Sequence, residues 1–240
     1  MALIYKGPSQ LDGSPIVAIA TLDTSNPKTG DMIQVWIIRE DISPVDAVRN
    51  GGDASVCGQC PQRHNLGGSC YVQPFQAPLS VWKSYKRGNY GTTSARKLAG
   101  MLHNGKPIRL GAYGDPCAVP LSVWDHFVGN GSRPRTGYTH QWRNPAFQGY
   151  RKYLMASADT AQDARDARAM GWRYFRVMQG SEPSLGQEFV CLSEREEGKS
   201  KTCAECRACD GTNGRDHIAA SVTIQVHGAR SKNFRLNVLK

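Results

Sequence analysis

The sequence predicts an α/β fold with a mostly parallel sheet, forming a partial (β/α) barrel with cysteine-rich metal-binding loops. Three observations carry this expectation. Strand-like and helix-like stretches alternate through the middle and C-terminal parts of the 240 residues. The pentapeptide Pro78-Leu79-Ser80-Val81-Trp82 recurs as Pro120-Leu121-Ser122-Val123-Trp124, and the interval suits successive strand-helix units. The cysteines gather in two polar, turn-rich loops. No Pro-rich or Ser-rich linker divides the chain, so residues 1–240 read as a single domain with cysteine-rich loops at about 54–74 and 191–211.

The elements follow from local chemistry. Ile16 to Thr21 and Met32 to Arg39 are apolar and β-branched, and the turn-forming Asn26-Pro27-Lys28-Thr29-Gly30 between them predicts a strand pair. Ser43-Pro44 supplies an N-cap and a first-turn proline for a short helix through Val48, which Gly51-Gly52 ends. Each copy of the repeated pentapeptide opens a helix. Thr93 to Asn104 reads as another helix, closed by Gly105, with the strand Ile108 to Tyr113 after it. Gly137 to Trp142 and Tyr153 to Ala158 are strand-like. Asp159 then introduces the alanine-rich helix Ala161 to Met170, Gly171 caps it, and Trp172 to Met178 is a strand again. Glu188 to Leu192 and Ala220 to Val226 are the remaining strands expected.

The first cysteine group is Cys57-Gly-Gln-Cys60-Pro, with Cys70 nine residues further on. A C-x-x-C turn aims two thiolates at one metal, and Gly67-Gly68 lets the chain fold back so that Cys70 supplies a third. The fourth position is open to His64, Cys117, water or a bound cofactor. The second group, Cys203-Ala-Glu-Cys206-Arg-Ala-Cys209, repeats the first three spacings of a ferredoxin-type iron–sulfur loop, and Cys191 is the natural fourth thiolate. Zinc held by four cysteines fits the same spacing. The cofactor expected is therefore an iron–sulfur cluster or zinc.

The net charge is +10, and its distribution is uneven. Ala54 to Gly114 contains no acidic residue but carries Lys83, Lys86, Arg87, Arg96 and Lys97, interleaved with Tyr71, Phe75, Trp82, Tyr85 and Tyr90; a second acid-free stretch, His126 to Ala158, adds Arg143. Cations neutralise phosphates and rings stack on bases, so these six cations are the candidate nucleic-acid contacts; a solvated basic face that docks a host protein is the alternative. No apolar run reaches the roughly 18 to 20 residues of a bilayer span, and the N-terminal residues do not form a secretory signal, so the expectation is the cytoplasm and no membrane partner. No Ser-His-Asp order, Walker A loop, G-x-G-x-x-G or H-E-x-x-H is present, which leaves hydrolase and kinase chemistry without support.

The C-x-x-C-P with its later Cys70-Tyr71, the strand-end Gly114-Asp115, the Ser157-Ala158-Asp159 before a helix and the terminal C-x-x-C-x-x-C together resemble a group of uncharacterised phage gene products with a radical-SAM-like barrel. The resemblance spans roughly Val56 to Gly211. It implies that Cys57, Cys60 and Cys70 hold a [4Fe-4S] cluster whose remaining iron binds S-adenosylmethionine, that the second cysteine group is auxiliary, and that the host cell is infected. The spacing here is x2 and x9 where the usual radical-SAM pattern is C-x3-C-x2-C. In such a barrel ligand-facing groups lie at strand C-terminal ends, which selects Asp115, His140 and Asp159 as cofactor-binding residues, with Tyr138, His140 and Trp142 on one strand face. Turn, cap and core roles compete for each. The function expected is an iron–sulfur enzyme acting on nucleic acid or a nucleotide, or else a zinc-stabilised binding protein.

Overall fold

A computed structural model describes residues 1–24, 26–129, 133–194, 200–213 and 219–234. Five strands form the first sheet, in the order β1-β2-β3-β4-β5: β1 (Ala2–Pro8), β2 (Pro15–Thr21), β3 (Ile33–Arg39), β4 (Ile108–Tyr113) and β5 (Arg135–Thr136). The first three pair antiparallel, and β3, β4 and β5 run parallel. The N-terminal strand is not among those expected from the sequence, although Asp12-Gly13, with Gly13 at φ 77°, lies in the turn that joins it to β2. Ile16 through Ala20 are completely buried, as are Ile33, Val35, Ile37 and Ile38, so β2 and β3 are apolar on consecutive residues, as central strands must be.

Between β3 and β4 run α1 (Pro44–Asn50), α2 (Ala54–Cys57), α3 (Ala77–Lys86) and α4 (Thr92–His103). Ser43 caps α1 by accepting the Asp46 N–H at 3.2 Å, and Gly51 ends it at φ 81°, a left-handed conformation that costs glycine nothing. Both pentapeptides open helices, α3 and then α5 (Leu121–Val128).

The second sheet is parallel throughout, ordered β6-β7-β8-β10-β9, with β6 (Tyr138–Thr139), β7 (Met155–Ala158), β8 (Tyr174–Met178), β9 (Glu188–Val190) and β10 (Ser221–Gln225). Helix α6 (Ala161–Ala169) packs on β7 and β8. Thr160, not Asp159, caps it, accepting the Asp163 N–H at 2.9 Å. The fold is thus mixed α/β in two five-stranded sheets, with Gly137 alone between β5 and β6, and among the described residues a barrel is not seen. The expected strand Gly137 to Trp142 is short: after Thr139 the chain turns into a 3-10 segment, Gln141–Arg143. Period-2 alternation therefore does not hold for His140 and Trp142, and they do not share a strand face with Tyr138. Trp142 is fully buried and donates its indole N–H to the Ser157 carbonyl at 2.9 Å. Among the described residues no helix is long and apolar enough to cross a membrane.

Candidate metal centres and basic face

The first cysteine group begins where α2 ends. Asp53 accepts the backbone N–H of Cys57 through its carbonyl at 2.9 Å, and the Cys60 N–H reaches back to the Cys57 carbonyl at 3.3 Å, closing the C-x-x-C turn. Cys70 returns because its N–H bonds the Gln62 carbonyl at 2.9 Å. That return needs a bare backbone at Gly68, where a Cβ would sit 2.3 Å from the Gln62 carbonyl carbon. Gly68→Ala is accordingly expected to cost about 1–3 kcal/mol, since a rigid backbone neighbour must move. Thermal unfolding checks this, with Gly186→Ala, whose Cβ meets nothing and whose φ is not in the left-handed region, as the comparison for glycine entropy.

Asp115 and His140 belong to this same place. The Asp115 N–H bonds the carbonyl of Val56, the residue before Cys57, at 2.6 Å. Its buried carboxylate accepts from the Cys117 N–H at 2.9 Å, the Thr139 hydroxyl at 2.9 Å, the His140 N–H at 3.0 Å and the Gln141 amide at 3.3 Å. Asp115 is thus a tie between two loops, with its lone pairs used on the protein itself. Gln141 also reaches the Cys57 carbonyl at 3.4 Å, and Gly58 lies so close beneath it that a Cβ would be 2.4 Å from the amide nitrogen. The turn that bears His140 therefore packs directly on the turn that bears Cys57. Cys60 is close enough to the His140 ring to favour its charged form, and the ring's Nε2 lies 3.2 Å from the carboxylate of Asp159, which is 3% exposed. Of the other candidates for the fourth position, His64 turns its Nε2 to the Val72 carbonyl at 2.8 Å, and Cys117 is fully buried against the Thr139 hydroxyl at 3.3 Å.

Burial raises the Cys57 thiol well above its ordinary value, and Cys60 and Cys70 add to the rise; burial together with Cys60 pushes Cys70 up to about 11. Burial opposes charge on His140, but Cys60 and Asp159 outweigh it and hold the imidazole well above its usual range. The Tyr113 hydroxyl is buried beside Cys57 and Cys70 and has no hydrogen-bond partner among the described residues.

The second group is assembled from the other end of the chain. Cys203 and Cys206 bound the one-turn helix α7 (Cys203–Cys206), which Thr202 and Glu205 close with a capping box. Its first N–H groups, those of Cys203 and Ala204, bond the carbonyls of Lys28 and Thr29 at 3.1 and 3.0 Å. Arg207 at φ 54° reverses the chain, and Cys209 follows into the core. Two buried arginines then fix the loop: Arg173 donates to the Ala208 carbonyl at 2.8 Å, the Gly211 carbonyl at 2.8 Å and Asp210 Oδ1 at 2.6 Å, and Arg135 to the Asp210 carbonyl at 2.8 Å. Cys191 arrives from β9, and its N–H bonds the Thr223 carbonyl of β10 at 2.8 Å. Burial raises Cys209 strongly, and Cys203, Cys191 and Cys206 all contribute. The four thiols line a cavity of about 510 Å³ against Tyr138, Phe175 and Phe189 of the parallel sheet.

As they stand, no three or more His, Cys, Asp or Glu side chains among the described residues form a group able to hold a metal.

The basic residues divide. Lys83 and Lys86 are exposed on α3, Arg87 caps it, and Arg96 and Lys97 are exposed on α4; α3 packs on β3 and α4 on β1. Arg143 lies elsewhere. It stacks on the Trp142 ring, 3.8 Å from its centroid, and pairs with Asp163 and Asp166. Sequence reasoning missed Tyr113, Gln141, Arg135 and Arg173, because nothing in a local window distinguishes a buried polar side chain from a surface one. Compared with known proteins, the chain matches no family model, no curated protein and no solved structure.

Proposed function

We propose that the protein binds nucleic acid through the α3–α4 face and that both cysteine groups are metal centres that stabilise the fold. One observation carries the binding reading. Lys83, Lys86, Arg87, Arg96 and Lys97 have no ion-pair partner among the described residues, whereas the cations Lys106, Arg143, Lys152, Arg173 and Arg176 are all matched by carboxylates. Exposed cations without a carboxylate partner are the electrostatic footprint of a polyanion site. For the metal centres, support comes from the meeting of distant segments: the 57–60 turn with the 140–141 turn through Gln141, and Cys191 with Cys203, Cys206 and Cys209 around one cavity.

Oligonucleotide binding followed by fluorescence anisotropy at several salt concentrations tests the binding reading. Five phosphate contacts should give a log–log slope of about −3.5 to −4.5, since each releases condensed counterions. Lys86→Glu with Arg87→Glu should weaken binding about tenfold or more, equally for all sequences, because phosphate contacts do not read bases. Failure to bind single-stranded DNA, duplex DNA and RNA at low salt would overturn it and leave a host protein as the partner for this face.

A second reading is a radical-SAM-like iron–sulfur enzyme acting on a nucleotide. It is favoured by the cavity of about 510 Å³ that the second cysteine group shares with the parallel sheet, a size suited to a small ligand. Anaerobic purification distinguishes the two readings, because iron–sulfur clusters are brown and zinc thiolates are colourless.

A further inference from the structure

We infer that His140 is the fourth ligand of the first centre, which makes Cys57, Cys60, Cys70 and His140 a closed zinc site. The assignment rests on reading the 57–70 loop as a metal centre, and it adds what that reading leaves open. His140 is carried to the cysteine group by the next residue, Gln141, whose amide donates to the Cys57 carbonyl at 3.4 Å, whereas His64 is turned to a backbone carbonyl. Its position is over-determined: Asp115 holds the His140 N–H and the Gln141 amide, and Gln141 presses on Gly58 between the two cysteines of the C-x-x-C turn.

Two further features fit a metal-bound histidine. A ligating imidazole ordinarily gives its other ring N–H to a carboxylate, which fixes the tautomer and raises the basicity of the bonding nitrogen. Asp159 stands 3.2 Å from Nε2 and is itself held by the neighbouring turn, its N–H bonding Asp163 Oδ2 at 3.0 Å. That leaves Nδ1 for the metal. The second feature is the Tyr113 hydroxyl, buried without a partner beside Cys57 and Cys70. A neutral thiol is a weak acceptor, but a metal-bound thiolate is a good one, so metal loading would satisfy an otherwise orphaned donor. Three thiolates and one imidazole are a tetrahedral set suited to zinc, with bonds of about 2.3 Å to sulfur and 2.0 Å to nitrogen. Closure by a side chain leaves no position at which S-adenosylmethionine could bind this centre, and it gives Asp159 the part of a positioning residue.

Zinc analysis and X-ray absorption at the zinc edge of the purified chain test the assignment. The wild type should carry two zinc ions, with one nitrogen among their eight ligands. His140→Ala should lose one equivalent, His140→Cys should restore it with an all-sulfur shell, and Asp159→Asn should weaken zinc retention against a chelator about tenfold to a hundredfold. If His140→Ala does not fold, the nitrogen in the wild-type shell and its loss in His140→Cys decide the matter. Two zinc ions in His140→Ala, or an all-sulfur shell in the wild type, would overturn the His140 assignment and leave the metal reading intact. A wild-type chain without metal would overturn both.

Discussion

Cys206→Ser is expected to remove one metal equivalent and to lower the melting temperature by about 10 °C or more. The loop from Thr202 to Gly211 has almost no apolar anchor apart from Cys209, and its short helix is a single turn, too short to be stable alone. What holds it is hydrogen bonding from Arg135 and Arg173, contact with the Lys28–Thr29 turn and, on this reading, a metal shared with Cys191 from another strand. Structural zinc contributes about 10–16 kcal/mol of apparent binding free energy in zinc-finger peptides, and that binding is coupled to folding. The arginine ties would retain part of the loop, so the loss should be a fraction of this. A loss of about 3–5 kcal/mol corresponds to roughly 6 to 20 °C in a chain of this size. Metal analysis and calorimetry check it, and a strong chelator should reproduce the shift in the wild type. Unchanged metal content and unchanged melting would remove the second centre.

Glu188→Ala is expected to destabilise the fold by about 3–5 kcal/mol, which again is a shift of roughly 10 °C. Arg176 of β8 and Glu188 of β9 form a bidentate pair at 2.7 and 2.8 Å with side chains only 1% and 0% exposed. Glu188 also accepts the Leu185 N–H at 2.8 Å, while Arg176 reaches Glu182 at 3.0 Å and the Pro183 carbonyl at 2.9 Å. The two strands are not neighbours, since β10 lies between them, so the pair bridges across a strand. Removing the carboxylate leaves a guanidinium buried with only the partly exposed Glu182 opposite it, and desolvation of that charge dominates the cost. Replacing both residues by apolar ones, Arg176→Met with Glu188→Leu, should recover much of the loss, because a buried pair is worth little more than well-packed hydrophobic residues. A single mutant within about 1 kcal/mol of the wild type in denaturant unfolding would show that Arg176 is solvated or neutralised by other groups.

Elements with a local signature were legible. The strands at Ile16 and Ile108, the helix opened by Ser43-Pro44, both helices at the repeated pentapeptide, and the strand-helix-strand from Met155 to Met178 all stand within two residues of expectation or nearly so. Caps, turns and apolar periodicity act over a few residues, and a reader of the chain sees them directly. The strand after Gly137 was over-extended because Tyr138, His140 and Trp142 alternate correctly; what ends it is Asp115, a residue far back in the chain, which holds the Thr139 hydroxyl and the His140 N–H. The partial barrel went further than local signals allow, since alternation of elements implies parallel pairing but not the closure of a sheet.

The sequence by itself determined the elements that carry local signatures, the absence of a long apolar span, the acid-free basic stretches and the two groups of cysteines with their internal spacing, because each is a property of neighbouring residues. Tertiary structure decided which distant groups meet. It separated Arg143, matched by Asp163, from the unpaired cations of α3 and α4; it turned Asp115 into a tie and Asp159 into a partner for His140; and it buried Arg176 against Glu188. An arginine or aspartate carries the same letter whether it is hydrated or buried. Its role follows from the charge opposite it and the water excluded around it, and only the folded chain supplies both.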